Sequence, residues 1–137
     1  MNTLLKALDN EDNENIFKKT SKQILKEKYN ILKDLELNEN HINDLLEKLQ
    51  EYIYVDEMPD IKSGSFIKWL PLSNPDNIKL TRGAIVCDID IINNDVLIQC
   101  KNFANKYFML NLNKSIIFRK LNDQEKVLLS VSNYLNT

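Results

Sequence analysis

Two periodicities divide the chain. From Ile16 to Leu35 the apolar positions Ile16, Phe17, Thr20, Ile24, Ile31, Leu32 and Leu35 return at helical spacing, with Lys18, Lys19, Lys22, Lys26 and Lys33 largely elsewhere. This predicts an amphipathic helix of about five turns. Asn38 or Asn40 is a natural N-cap for a second helix, whose stripe is Ile42, Leu45, Leu46 and Leu49, extended by Tyr52 and Ile53. The short link Glu36 to Asn40 makes the pair an antiparallel hairpin. Before it, Met1 to Asn10 reads as a short helical turn leading into a polar run, Asp9 to Asn15.

After a junction over Asp56 to Ser63 that holds Pro59, the period changes to two. Phe66 to Leu72, about Gly83 to Ile92, Val96 to Cys100, Phe108 to Leu112 and Ser115 to Leu121 read as four or five strands of a meander, each bounded by turn residues. Asn93-Asn94 suits a two-residue hairpin, since asparagine tolerates positive φ. In that register Ile91 faces Val96, Ile89 faces Ile98 and Cys87 faces Cys100. A three-residue loop then sets Cys100, Ile98 and Val96 against Phe108, Leu110 and Leu112. Short connections and a continuous apolar face predict a small SH3-like barrel, with an OB-like barrel as the alternative. Asn122-Asp123-Gln124-Glu125 opens a final helix, with Asn as cap and Glu at the third helical position. Its Val127, Leu128, Val131, Tyr134 and Leu135 need a partner, either the barrel's open end or the hairpin.

The expected fold class is therefore α+β. It comprises a helical arm over residues 1–58 and, over residues 62–137, a small antiparallel SH3-like β-barrel with a closing C-terminal helix. A chain of 137 residues can bury a sizeable core without staples. No stretch is apolar for long enough to span a bilayer, and Met1 to Lys6 lacks a signal peptide's apolar core, so a soluble intracellular protein with no membrane partner is expected. Two cysteines fit a reducing compartment, although their register leaves a disulfide geometrically open.

Charge is unevenly shared. Residues 1–58 carry 8 Lys and Arg against 13 Asp and Glu, a balance of −5, while residues 59–137 carry 10 against 7, a balance of +3. A basic barrel with Phe66, Trp69, Phe103, Tyr107 and Phe118 is compatible with phosphate contacts plus base stacking. The candidate nucleic-acid residues are Lys68, Trp69, Arg82, Lys101, Lys106, Arg119 and Lys120. Ordinary solvated charge is the favoured account, because lysine is the default surface residue and several aromatics are needed for the core.

Catalytic chemistry finds little support. Asp88 and Asp90 share a strand face and could contribute to a divalent-metal site, but no third ligand converges on them, and they read as solvated hairpin carboxylates. His41 is the only histidine and lies near a helix cap, so no zinc site is expected. Two glycines leave no glycine-rich phosphate loop. Trp69 reads as core before it reads as an aromatic cage. No catalytic residue, metal, cofactor or small-molecule substrate is expected.

The segments Gly64 to Leu70, Leu80 to Val86 and Ile117 to Glu125 resemble small uncharacterised proteins of large (giant) DNA viruses, over the second half of the chain. That resemblance implies a building or packaging role in a virion or viral factory, with no activity attached. The expected function is a non-enzymatic protein-protein interaction or structural component with a protein partner or homo-oligomer, and the alternative is a nucleic-acid-binding module. The stripe Phe17, Ile24 and Ile31 with Leu45 and Leu49 is the candidate surface for self-association.

Overall fold

The computed structural model describes residues 19–56 and 61–135. The expectations for Met1 to Asn15, and those for Ile16, Phe17 and Pro59, lie outside them. The chain divides into a helical unit, residues 1–50 with 121–137, and a sheet unit, residues 51–120. It is an α+β protein with three helices and one six-stranded antiparallel sheet among the described residues.

In the helical unit, α1 spans Ser21–Asp34, α2 Glu39–Lys48 and α3 Asp123–Leu135. Thr20, read from spacing as part of the stripe, is instead the N-cap. Its hydroxyl accepts from the Gln23 amide at 3.2 Å, and its own amide donates to Gln23 Oε1 at 2.9 Å. This capping box starts α1 later than the apolar period suggests, leaving 14 residues, about four turns. Asn38 caps α2 by accepting from the His41 amide at 2.8 Å. Asn122 and Glu125 form the expected box at the head of α3, with bonds of 3.0 and 2.9 Å. The final helix joins the hairpin: the Ser21 amide donates to Asn133 Oδ1 at 2.9 Å, and Asn133 Nδ2 donates to Ser21 Oγ at 2.8 Å. Ile24, Leu32, Ile42, Leu45, Leu49, Leu128 and Leu129 are buried, each worth roughly 1.5–3 kcal/mol over leaving it in water.

In the sheet unit, β1 spans Tyr52–Val55, β2 Phe66–Pro71, β3 Ala84–Ile92, β4 Asp95–Lys101, β5 Tyr107–Asn111 and β6 Ser115–Lys120. Their spatial order is β1-β6-β2-β3-β4-β5. The extension of the second helix through Tyr52 and Ile53 is thereby corrected. Helix α2 ends at Lys48, and the β-prone run Tyr-Ile-Tyr-Val pairs with β6 instead, Val55 opposite Ile117.

The β3–β4 hairpin forms on Asn93 and Asn94, at φ 52° and 70°, with Ile91 opposite Val96 and Ile89 opposite Ile98. The β4–β5 reversal is a three-residue loop closed by Asn105 at φ 60°, while Asn102 Oδ1 accepts from the amides of Ala104 and Lys106. Cys100 faces Phe108 and Ile98 faces Leu110. One pairing differs from the sequence register: a bulge between Val86 and Asp88 sets Val86 opposite Cys100 and leaves Cys87 out of the ladder. Both cysteines are free thiols.

The main core cluster lies on one face of this sheet, where Val55, Ile67, Trp69, Ala84, Val86, Ile98, Cys100, Leu110 and Ile117 meet, while Leu70 and Phe118 on the other face of β2 and β6 are fully buried as well. Neighbouring strands lie about 4.8 Å apart, so β2 and β5, three steps apart, would stand about 14 Å apart in a flat sheet. The Trp69 and Phe108 ring centroids are 5.5 Å apart. The sheet therefore curls over its own core. It does not close: β1 and β5 stand at opposite ends of the strand order, and no ladder joins them among the described residues. The expected closed barrel is in this respect corrected, because β1 takes the free side of β6 and adds a strand to an open, curled sheet.

Candidate recognition face of the sheet

Alternation along each strand sorts the sequence-derived basic residues onto two faces. Trp69, Ile117 and Ile67 belong to the core face, and Arg119, opposite Ile67, shares it. Trp69 is only 9% exposed and packs on Phe108, so no base can stack on it there. Lys68, Lys101 and Lys120 project from the outer face. Arg82 lies in the segment before β3 and Lys106 in the β4–β5 turn, both exposed. The seven candidates thus do not form one surface.

What the outer face does assemble is a line of apolar and aromatic side chains broken by lysines. Phe66 pairs with Ile85, Ile85 with Lys101, and Lys101 with Tyr107. Phe103, carried by the three-residue loop, turns back onto Phe66 with ring centroids 5.8 Å apart, and Phe66 in turn lies 6.5 Å from Tyr52. Lys101 Nζ stands 5.5 Å from the Tyr107 ring centroid and Lys68 Nζ 5.4 Å from that of Tyr52, both within cation–π reach. Met109 follows Tyr107 on the same face, opposite Gln99.

Four of these residues face water. Phe103 is 74% exposed, Tyr107 60%, and Ile85 and Met109 49% each. Large apolar side chains standing together in water mark recognition surfaces more often than isolated ones do. Strand β5 is also an end strand, uncharged from Tyr107 to Asn111 and free of proline.

The patch was readable in part. In Tyr107-Phe108-Met109-Leu110 the inward set is Phe108 and Leu110, so alternation alone assigns Tyr107 and Met109 to the outside, where a solvated strand would carry polar residues. Phe103 was not readable, because its position depends on how the loop folds back.

The carboxylates do not build a metal centre. Asp88 stands opposite Gln99 and accepts from the Ile89 amide at 2.9 Å. Among the described residues no three His, Cys, Asp or Glu side chains are placed to hold a metal ion. The self-association residues Ile24, Leu45 and Leu49 are buried, and Ile31 is half-buried. Burial pushes the Cys100 thiol up to about 12 and raises the Tyr52 phenol above its usual value, the charge of Cys87 and of Glu51 adding to each.

The fold and face together define an α+β chain with an exposed aromatic patch on an open, curled sheet. No protein-family model matches the chain, and no curated protein or solved structure matches it either. No described helix is long and apolar enough to cross a membrane.

Proposed function

We propose that this chain is a non-enzymatic interaction or assembly component that binds a protein partner through the outer face of β3, β4 and β5. The observation that carries this reading is the exposed quartet Ile85, Phe103, Tyr107 and Met109 around Lys101. Tyr, Phe and Met are enriched at protein interfaces, where a desolvated apolar centre is ringed by polar groups. Lys101 and Lys106 favour carboxylates where the partner meets β5 and its turn, and Asp88 and Asp90 favour cations where it meets β3. The curl of the sheet supports an SH3-like description, in which the main core comes from the sheet itself and the outer face of β3 to β5 is left for recognition. An intracellular setting, and the building or packaging role implied by the viral resemblance, accord with such a component.

Nucleic acid is the second reading, favoured by the Lys101–Tyr107 pair beside the exposed Phe103 ring. It ranks lower for two reasons. The sheet unit carries 9 Lys and Arg against 8 Asp and Glu, a balance of only +1, and Asp88 and Asp90 share its outer face. Replacing Phe103 and Tyr107 with serine tests the reading: the variant keeps its fold and loses the partner that the wild-type chain retains. Retention of that partner by a folded double variant removes this face from the account.

A further inference from the structure

The inward stripe of α1 runs Ile24, Lys28, Leu32, and its middle position is a lysine. Lys28 is 3% exposed. Its ammonium donates one hydrogen bond, to the Leu49 carbonyl at 2.7 Å, at the C-cap of α2. A carbonyl at a helix C-terminus is a favourable partner for a cation. It carries no full charge, however, and an ammonium has three donors. Among the described residues no carboxylate lies within ion-pair distance of Lys28. Burial accordingly lowers its pKa from the ordinary value of 10.5.

Beside this lysine the helical unit has a groove of about 440 Å³, lined by Lys28 with Ile24, Leu25, Leu46, Leu121 and Leu129. That volume falls in the range of small-molecule sites. The lining combines the Lys28 cation with five apolar side chains and with the polar Ser21, Gln50 and Glu47. Glu47, the carboxylate of the lining, is exposed and keeps its hydration.

We propose that this groove binds a small amphipathic carboxylate, its head on the Lys28 ammonium and its hydrocarbon chain along Ile24, Leu25, Leu46, Leu121 and Leu129. A bound carboxylate supplies the missing counter-charge through charge-assisted hydrogen bonds, and its chain covers Leu25 and Leu46, the part of the apolar lining that is not already buried. A lysine serving only to cap α2 requires neither the groove nor selectivity for anions. The site lies wholly in the helical unit and does not depend on the reading of the sheet face.

The test is calorimetric titration and thermal unfolding of the full chain with octanoate, octanol and octyltrimethylammonium. The expected result is one octanoate per chain and a raised Tm, with neither effect from the alcohol or the cation. Lys28→Met should weaken octanoate at least tenfold, since a charged hydrogen bond is lost. Leu46→Trp, which fills the groove and leaves Lys28 in place, should abolish binding. Equal binding of octanoate and octanol, no binding of octanoate, or wild-type affinity in a folded Lys28→Met chain would overturn the proposal. If Lys28→Met does not fold, unchanged affinity in Leu46→Trp overturns it alone.

Discussion

Val86, and not Cys87, stands opposite Cys100. The bulge inserts Cys87 as an extra residue, so only Cys100 keeps a regular inward place, where it is fully buried. The two thiols should therefore differ in reactivity. At pH 8 in the native protein, iodoacetamide should label Cys87 and spare Cys100, with both labelled after unfolding. Native labelling of Cys100 at the rate of Cys87 would contradict the burial.

The same burial gives a pH dependence. Cys100 titrates at about 12 when folded against an ordinary value of 9.0. Between these values the unfolded thiol releases its proton while the folded one keeps it, so stability present below pH 9 is lost as pH rises toward 12. Three pKa units correspond to on the order of 4 kcal/mol as a ceiling. Urea titrations at pH 8 and pH 11 should show the wild type losing more stability than Cys100→Val. Parallel losses would refute the assignment.

Lys28 works in the opposite sense. Its folded pKa lies below 10.5, so the window extends downward from that value, and within it the unfolded chain binds a proton that the folded chain lacks. Charging the buried amine is a cost relieved as pH rises. Relative to Lys28→Met, the wild type should gain stability between pH 8 and pH 10.5, measured as the difference in urea midpoints. A difference independent of pH would mean that the amine is not desolvated.

Gly83 has φ +101°, and a Cβ there would lie 2.6 Å from the Phe66 ring and 2.8 Å from the Ile67 carbonyl. Gly64 also has positive φ, at +90°, but meets nothing within 4 Å. Gly64→Ala should cost only the backbone term, about 1–2 kcal/mol. Gly83→Ala adds a steric clash to it, for a total of about 2–4 kcal/mol. Equal losses in denaturant melts would show that the Phe66 ring and the Ile67 carbonyl both move aside freely.

What the sequence conveyed depended on how local the determinant was. Asn93-Asn94 and the Asn122–Glu125 box are set by neighbouring residues and form as read, and of the two candidate caps Asn38 and Asn40 the structure uses Asn38. The strand spans between Phe66 and Lys120 follow from period-two alternation and turn residues. β1 is ambiguous from spacing because Tyr52 and Ile53 also continue a helical stripe, and only pairing with β6, more than sixty residues away, settles them as strand. The Cys87 bulge and the Phe103 fold-back are tertiary in the same way. The burial of Lys28 has a local determinant too: it stands four residues after Ile24 and four before Leu32, where the helical period requires an inward side chain.

On the proposed function, the outer face of β3 to β5 receives a protein. A photoreactive phenylalanine analogue in place of Tyr107, activated by light in cells expressing the full chain, reports directly on what touches that face. The expected result is a discrete protein adduct at position 107 that is absent when the same analogue replaces exposed Asn77, and that disappears with Phe103→Ser. Crosslinking mainly to nucleic acid, or equal yields at positions 107 and 77, would contradict it.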